Sequence, residues 1–505
     1  MRGADNRGDE LGPGGTTTVR PSIHGDVLHS RPAVIDYGGS TGTVVFYGSN
    51  DGMLRAVDGN RTGPTPGQEL WAFVPSEFLG RFKRLRDNTP EVRFPVTPPA
   101  AVTLPRDYFV DGSVTVYQKL DESRSTERAV IFVTMRRGGR MLYAFDVTSP
   151  ANPVLLWRKS NADIPVLGQT WSDARLAMLK GHPGPVLVMG AGYDAAAEDA
   201  TTPGATTMGN AVLVLDALSG TVLKTLATER AVPAAVALLD TDFDGYTDRA
   251  YAADTGANVY RIDFENAVAD GDASHWRIAK FAALGGSGAR KFLHAPDVVQ
   301  TRLFTAVLVG SGDREKPLAP YYPYGAVTND RFYTLLDRAT AKGPSGLPLI
   351  DPSQLALTGS SGAPAANVVG CYLPLDAARG EKVVTSAVST GGYTYFSTNT
   401  PTDTFSTNSC ATPLGTARSY RVALFCGDVA SQEYVGGGLP PSPVAGLVEI
   451  EVPSTDPATP GTETRQVPFI IGGFNAQLSG LQASRVPINV DPTRRRTYWF
   501  TNKGH

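Results

Sequence analysis

The hydrophobic pattern of this chain is one phrase repeated. An apolar run reaches a turn containing Gly, Asn or Asp, and a second, alternating run ends on Asp. The phrase appears as VVFYGSNDGMLRAVDG (44–59) and VIFVTMRRGGRMLYAFDVTSP (130–150). It returns as VLVMGAGYD with GNAVLVLDALSG (186–220) and as RAYAADTGANVYRIDF (249–264). Later copies are AVLVGSGDREKP with DRFYTLLDR (306–338) and, more weakly, TYFSTNTP with SYRVALFCGD (394–428). Runs of this length and alternation around such turns predict β-hairpins. The closing Asp suits a tight turn into the next strand.

A supersecondary unit repeated around a ring buries its faces against its neighbours and leaves few open edges. The prediction is therefore an all-β, modified seven-bladed β-propeller with long inter-blade insertions. Residues 1–20 read as a flexible leader and 21–505 as a single propeller domain. A seventh blade is expected from PFIIGGFNAQ (468–477) with RRTYWFTNKG (495–504), closed by a strand near the N-terminus. The stretches at 60–125, 338–370, 436–446 and 454–465 read as insertions on the rims, where binding surfaces are usually built.

Composition supports strands over helices: 54 Gly and 38 Pro punctuate the chain, and 19% of residues are charged. A net charge of −3 from 46 Lys+Arg and 49 Asp+Glu suggests no nucleic-acid partner. No run approaches the roughly 18 apolar residues of a transmembrane segment. The polar start, MRGADNRGDELGPGG, reads as no signal peptide, so the chain is expected to be cytosolic or a fragment of an exported precursor. An oxidising compartment would allow Cys371, Cys410 and Cys426 one disulfide and one spare thiol, with the pairing open.

One segment carries distinctive chemistry. DTDFDGYTD places Asp240, Asp242, Asp244 and Asp248 within nine residues. Acidic residues at positions 1, 3 and 5, Gly245 at 6, the Tyr246 carbonyl at 7 and Asp248 at 9 follow the ligand order of a calcium loop. Position 12, where an EF-hand has a bidentate Glu, is Tyr251, and no amphipathic helix precedes Asp240. The segment thus reads as a strand-bounded Ca²⁺ site with Kd on the order of 10⁻⁶ to 10⁻³ M. Mg²⁺ is disfavoured because it demands tighter octahedral geometry. The competing reading is a plain acidic turn.

The remaining candidates read as structural. SNDGM (49–53) and TGANV (255–259) are hairpin turns, and GGSGAR (285–290) lacks the strand–helix context of a phosphate loop. Asp313, Arg314 and Glu315 in GSGDREK read as an internal salt-bridge corner, and His24 and His29 as structural. Arg7-Gly8-Asp9 is an RGD tripeptide in the leader. No G-x-S-x-G, CxxC, HExxH or paired-carboxylate motif supports catalysis, so the reading is of a non-enzyme.

Taken together, HGDVLHSRPAVI, YGSNDGMLRAVDG, ELWAFVPSEFL, YFVDGSVTV, LYAFDVTSP, LGQTWSDARLAML, LLDTDFDGYTDRAYAADTGANVYRIDF, VGSGDREKP and GEKVVTSAVSTGGYTYFSTNTP stand in one order from about 24 to 401. In that order they resemble the C-terminal domain of the PilY1/PilC family of type IV pilus tip-associated biogenesis proteins and adhesins. The resemblance implies a calcium-loaded propeller with ligands Asp240, Asp242, Asp244, Tyr246 (backbone oxygen) and Asp248. It implies pilin or minor-pilin partners, contact with host-cell or abiotic surfaces, and a place at the pilus tip after export through the periplasm and outer membrane. It also implies roles in pilus biogenesis, retraction, twitching motility and adhesion. NDGMLRAVDG with ELWAF resembles PQQ-dependent dehydrogenase repeats too, so a quinoprotein propeller is the alternative, separable by PQQ titration. A carbohydrate-binding lectin propeller is a third reading, separable on a glycan array.

Overall fold

A computed structural model describes residues 24–87, 89–90, 106–200, 203–265, 275–286, 290–317, 328–339, 347–359, 368–402, 414–453 and 462–472, with short strand backbones at 11–12, 15–16 and 483–485. Among these residues the chain forms seven sheets of three to five strands and one two-stranded ribbon, Leu11–Gly12 with Gly15–Thr16. Blades 1 to 4 each take four strands in chain order. Blade 1 runs Ala33–Asp36, Thr43–Gly48, Leu54–Asp58 and Glu69–Phe73; blade 4 runs Ala237–Leu239, Arg249–Ala253, Asn258–Asp263 and Arg277–Ala283. Blade 5 adds Ala356–Leu357, which pairs in parallel with Gly370–Pro374. First strands of successive blades lie side by side, with Val388–Thr390 of blade 6 between Asp297–Gln300 of blade 5 and Val444–Pro453 of blade 7. This is the predicted β-propeller. No helix among the described residues is long and apolar enough to cross a membrane.

The repeated phrase is the second and third strand of each blade. In blades 2 to 5 these central strands are buried on both faces along most of their length, which is why they read as continuous apolar runs. Alternation sends their side chains to two different neighbours. In blade 2, Ile131 and Val133 pack towards blade 1, while Val130 and Phe132 pack towards blade 3. In blade 3, Leu187 and Met189 face blade 2, while Val186 and Val188 face blade 4. The core is thus a series of layers between blades.

The closing Asp of the phrase behaves as expected. Asp146 Oδ1 accepts from the Thr148 N–H at 2.9 Å, and Asp216 Oδ1 accepts from the Ser219 N–H at 2.7 Å. The Gly that ends the second strand has a further purpose. A Cβ on Gly48 would stand 2.2 Å from the Val110 carbonyl, and one on Gly190 would stand 2.1 Å from the Val232 carbonyl. In each case the chain leading into the next blade crosses there, so only glycine fits.

One expectation is extended and another corrected. In the seventh sheet Thr462–Ile471 is the central strand, its edges taken by Val444–Pro453 and Ala483–Arg485. The expected partner at 495–504 lies outside the described residues. The strand at 444–453 had been hidden by the Pro/Gly-rich lead that reads as a loop. Likewise, 60–125 is more than an insertion: it holds the last strand of blade 1 and Val114–Leu120, the first of blade 2. These strands are partly exposed, so their apolar alternation is diluted.

Cys371 and Cys426 form a disulfide with Cα atoms 5.8 Å apart, tying blade 5 to the turn after Thr416–Ala423 of blade 6. Cys410 and Arg7-Gly8-Asp9 lie outside the described residues.

Candidate metal centre

The loop 240–248 is the connection between the first and second strands of blade 4, where Leu239 and Arg249 are paired in register. Strands therefore bound it on both sides, as the missing helix and the missing Glu implied. The main chain curls because Asp240 caps it from within. One Asp240 oxygen accepts from the Phe243 N–H at 2.7 Å, and the other accepts from the Gly245 N–H at 2.8 Å. Gly245 takes φ +91°, a conformation that favours glycine. The curl aims Asp240, Asp242 and Asp244 at one point: one carboxylate oxygen from each lies within 4.8 Å of the others.

Asp248 and Tyr246 sit differently. Asp248 is buried at the base of the loop and accepts from the Thr241 N–H at 2.6 Å and from its hydroxyl. It stands outside the group of three. The Tyr246 N–H donates to Asp244 Oδ1 at 2.9 Å, and its carbonyl is the atom the calcium-loop order assigns to the ion.

The charge at this point is partly offset by a residue that the local pattern does not signal. Lys180, in the corresponding connection of blade 3, places its ammonium 2.5 Å from Asp244, 3.5 Å from Asp242 and 3.0 Å from Glu265. Asp244 and Glu265 hold the Lys180 pKa above its ordinary value. In return the Lys180 ammonium, with the Tyr246 N–H, holds Asp244 below the usual carboxylate range. The ammonium is a stand-in cation, and the hard-oxygen set around it suits Ca²⁺. Lys180 and Glu265 lie 60 residues before and 25 after Asp240, and only the packing of blade 3 on blade 4 joins them.

The other sequence candidates take structural places. His24 meets the Tyr47 hydroxyl at 2.8 Å, and His29 meets Asp111 at 2.8 Å, so the pair does not converge. Asp51 is bound by Arg55, and Asp254 accepts from the Gly256 and Asn258 N–H groups, as turn residues do. Arg290 donates to the carbonyls of Leu284 and Asn329 and pins its loop. The corner at 313–315 pairs outward: Asp313 meets Lys291 at 3.1 Å, and Glu315 meets Arg137 at 2.7 Å.

Fold and site together define a β-propeller with a carboxylate loop between the inner strands of one blade. The family profile of the PilY1 beta-propeller domain matches residues 34–292, just over half of the chain, and the chain belongs to that family. It is 27% identical over 301 residues to "Type IV pilus biogenesis factor PilY1 homolog" of Xylella fastidiosa, covering 54% of this chain and 22% of that protein. It is 29% identical over 273 residues to "Type IV pilus biogenesis factor PilY1" of Pseudomonas aeruginosa, covering 48% and 21%. The chain thus spans about a fifth of the length of these relatives. The crystal structure of the Pseudomonas aeruginosa PilY1 C-terminal domain shares the fold, with a TM-score of 0.57 at 20% identity over 85% of this chain and 91% of that one.

Proposed function

We propose that this chain is the calcium-binding propeller of a type IV pilus tip protein and acts in pilus biogenesis, control of retraction, twitching motility and surface adhesion. Family membership supports the pilus role. The convergence of Asp240, Asp242 and Asp244 around the Lys180 ammonium is the single observation that carries the calcium reading. Pilins or minor pilins are the proposed partners, with host-cell or abiotic surfaces as adhesion targets. The disulfide Cys371–Cys426 fits passage through an oxidising compartment on the way to the cell surface.

Asp240, Asp242 and Asp244 would hold the ion, joined by the Tyr246 carbonyl and by Asp248 as the loop tightens. When bound, Ca²⁺ supplies the positive charge that lets these carboxylates remain together. The chain's own part is conformational. The Asp240 cap and Gly245 set the curl, and Thr241 anchors Asp248 at the base. The tip residue Phe243, 82% exposed, is held outward. Binding that favours the curled loop stabilises it by about 2.7 kcal/mol at a hundredfold excess over Kd. Calorimetric titration of Asp244→Ala is expected to show no calcium binding, and twitching of a strain carrying it is expected to fail. Full calcium affinity in that variant would overturn the reading.

A further inference from the structure

The second strands of the blades run away from the carboxylate loop, and at their far ends lies a different cluster. Glu315 is its hub, taking Arg136 at 3.3 Å and Arg137 at 2.7 Å. Arg137 is further held by Asp199 at 2.9 Å, so its charge is fully met. Arg136 is not so well matched. Its guanidinium lies 4.2 Å from the centre of the Trp171 ring, and its Nε is buried with no hydrogen-bond acceptor among the described residues.

Arg314 is half-buried, and its guanidinium has neither an ion-pair nor a hydrogen-bond partner among the described residues. The Nε2 atom of His294 is also buried and unpartnered among them. Arg31, with its side chain 63% exposed, touches Asp173 at only 3.6 Å. These groups share one field. Burial, then Arg314, Arg136 and Arg31, push the His294 pKa down to about 3. Burial, with Arg136 and Arg31, lowers that of Arg314. An unpaired, partly desolvated guanidinium beside two others is unfavourable in a closed fold, and buried donors left over in a native structure mark where an acceptor belongs.

We propose that Arg31, Arg136 and Arg314 form a carboxylate-binding site that takes a glutamate or aspartate side chain from an acidic segment of a partner protein. A guanidinium fork matches the two oxygens of a carboxylate. Glu315 and Asp173 already offset two of the three guanidinium charges, so about one remains, which a single carboxylate meets. Trp171 and Arg136 form the wall, and exposed Arg31 leaves the rim open to a protein chain. The site lies at the opposite end of the strands from the metal loop and does not depend on it.

The test is calorimetric titration of the whole chain with a short acetylated peptide bearing two glutamates, its glutamine counterpart and inorganic phosphate, at low and high salt. The glutamate peptide is expected to bind, more weakly at high salt, and the other two are expected to bind less. Arg314→Met is expected to weaken binding roughly tenfold or more, with an unfolding midpoint equal to or above that of the parent, since it removes an unpaired charge. Arg31→Gln, at an exposed position, is expected to weaken binding several-fold in a folded protein. Equal binding of the two peptides, tighter binding of phosphate, or unchanged affinity in folded Arg31→Gln would overturn the proposal.

Discussion

At the scale of single residues, burial decides which charges matter. Lys180 is a tethered cation in the place proposed for the metal, so it competes with calcium for Asp244 and Asp242. Lys180→Met is expected to bind calcium roughly fivefold tighter, as loss of one partly exposed ion-pair cluster would give, with the same stoichiometry by calorimetry. Asp330 illustrates the opposite situation. It is buried, accepts from the Ser311 hydroxyl at 2.7 Å, and desolvation raises its pKa to about 7. Its folded pKa lies above the unfolded value, so the folded state binds its proton more tightly. The stability it contributes is full below about pH 4 and is lost as pH rises through about 7. Asp330→Asn keeps an acceptor for Ser311 without the charge. Denaturant midpoints measured at pH 5 and pH 8 are expected to differ less in that variant than in the parent, with the gain at pH 8.

At the scale of elements, the central hairpins carry the fold and the ion pairs between them join neighbouring blades. Arg261, fully buried on the third strand of blade 4, is bound to Asp263 at 2.8 Å and reaches Asp337 of blade 5 at 3.0 Å. The Tyr251 hydroxyl also donates to Asp337 at 2.6 Å. Removing the guanidinium leaves the buried Asp263 and Asp337 to the longer contacts of Arg249, at 3.4 and 3.8 Å. Arg261→Met is expected to cost about 3–5 kcal/mol, read as a lower denaturant midpoint. The hairpins were legible in the sequence because both faces are buried, which makes runs such as VLVMG and AVLVLD continuously apolar. The flanking strands Arg175–Met178 and Ala237–Leu239 were not, since they are short and only partly buried. From the sequence, glycine reads only as a turn former. That it also makes room for the next blade depends on a chain far away in sequence.

At the scale of the molecule, stability is distributed over the layers between blades, and the disulfide reinforces one of them. Cys371 and Cys426 are separated by 55 residues, and closing such a loop restricts the unfolded chain. Cys371→Ser is expected to lower stability by about 2–4 kcal/mol, measured against the parent in non-reducing denaturant titrations. A variant as stable as the parent would show that blades 5 and 6 hold together without it.

Sequence alone determined the β-propeller, the central hairpins and the carboxylate loop, because each depends on neighbours a few residues apart: alternation, turn chemistry, and Asp240, Asp242 and Asp244 around a glycine bend. The family resemblance stood on the same local phrases. Only the tertiary structure decided which cysteines pair, which strand lies at the centre of the seventh sheet, and that Lys180 and Glu265 stand at the carboxylate loop. It alone brought Arg31, Arg136 and Arg314 near enough to His294 to act on it. These are contacts between residues tens to hundreds of positions apart, made when one blade packs on the next, and no local period encodes them.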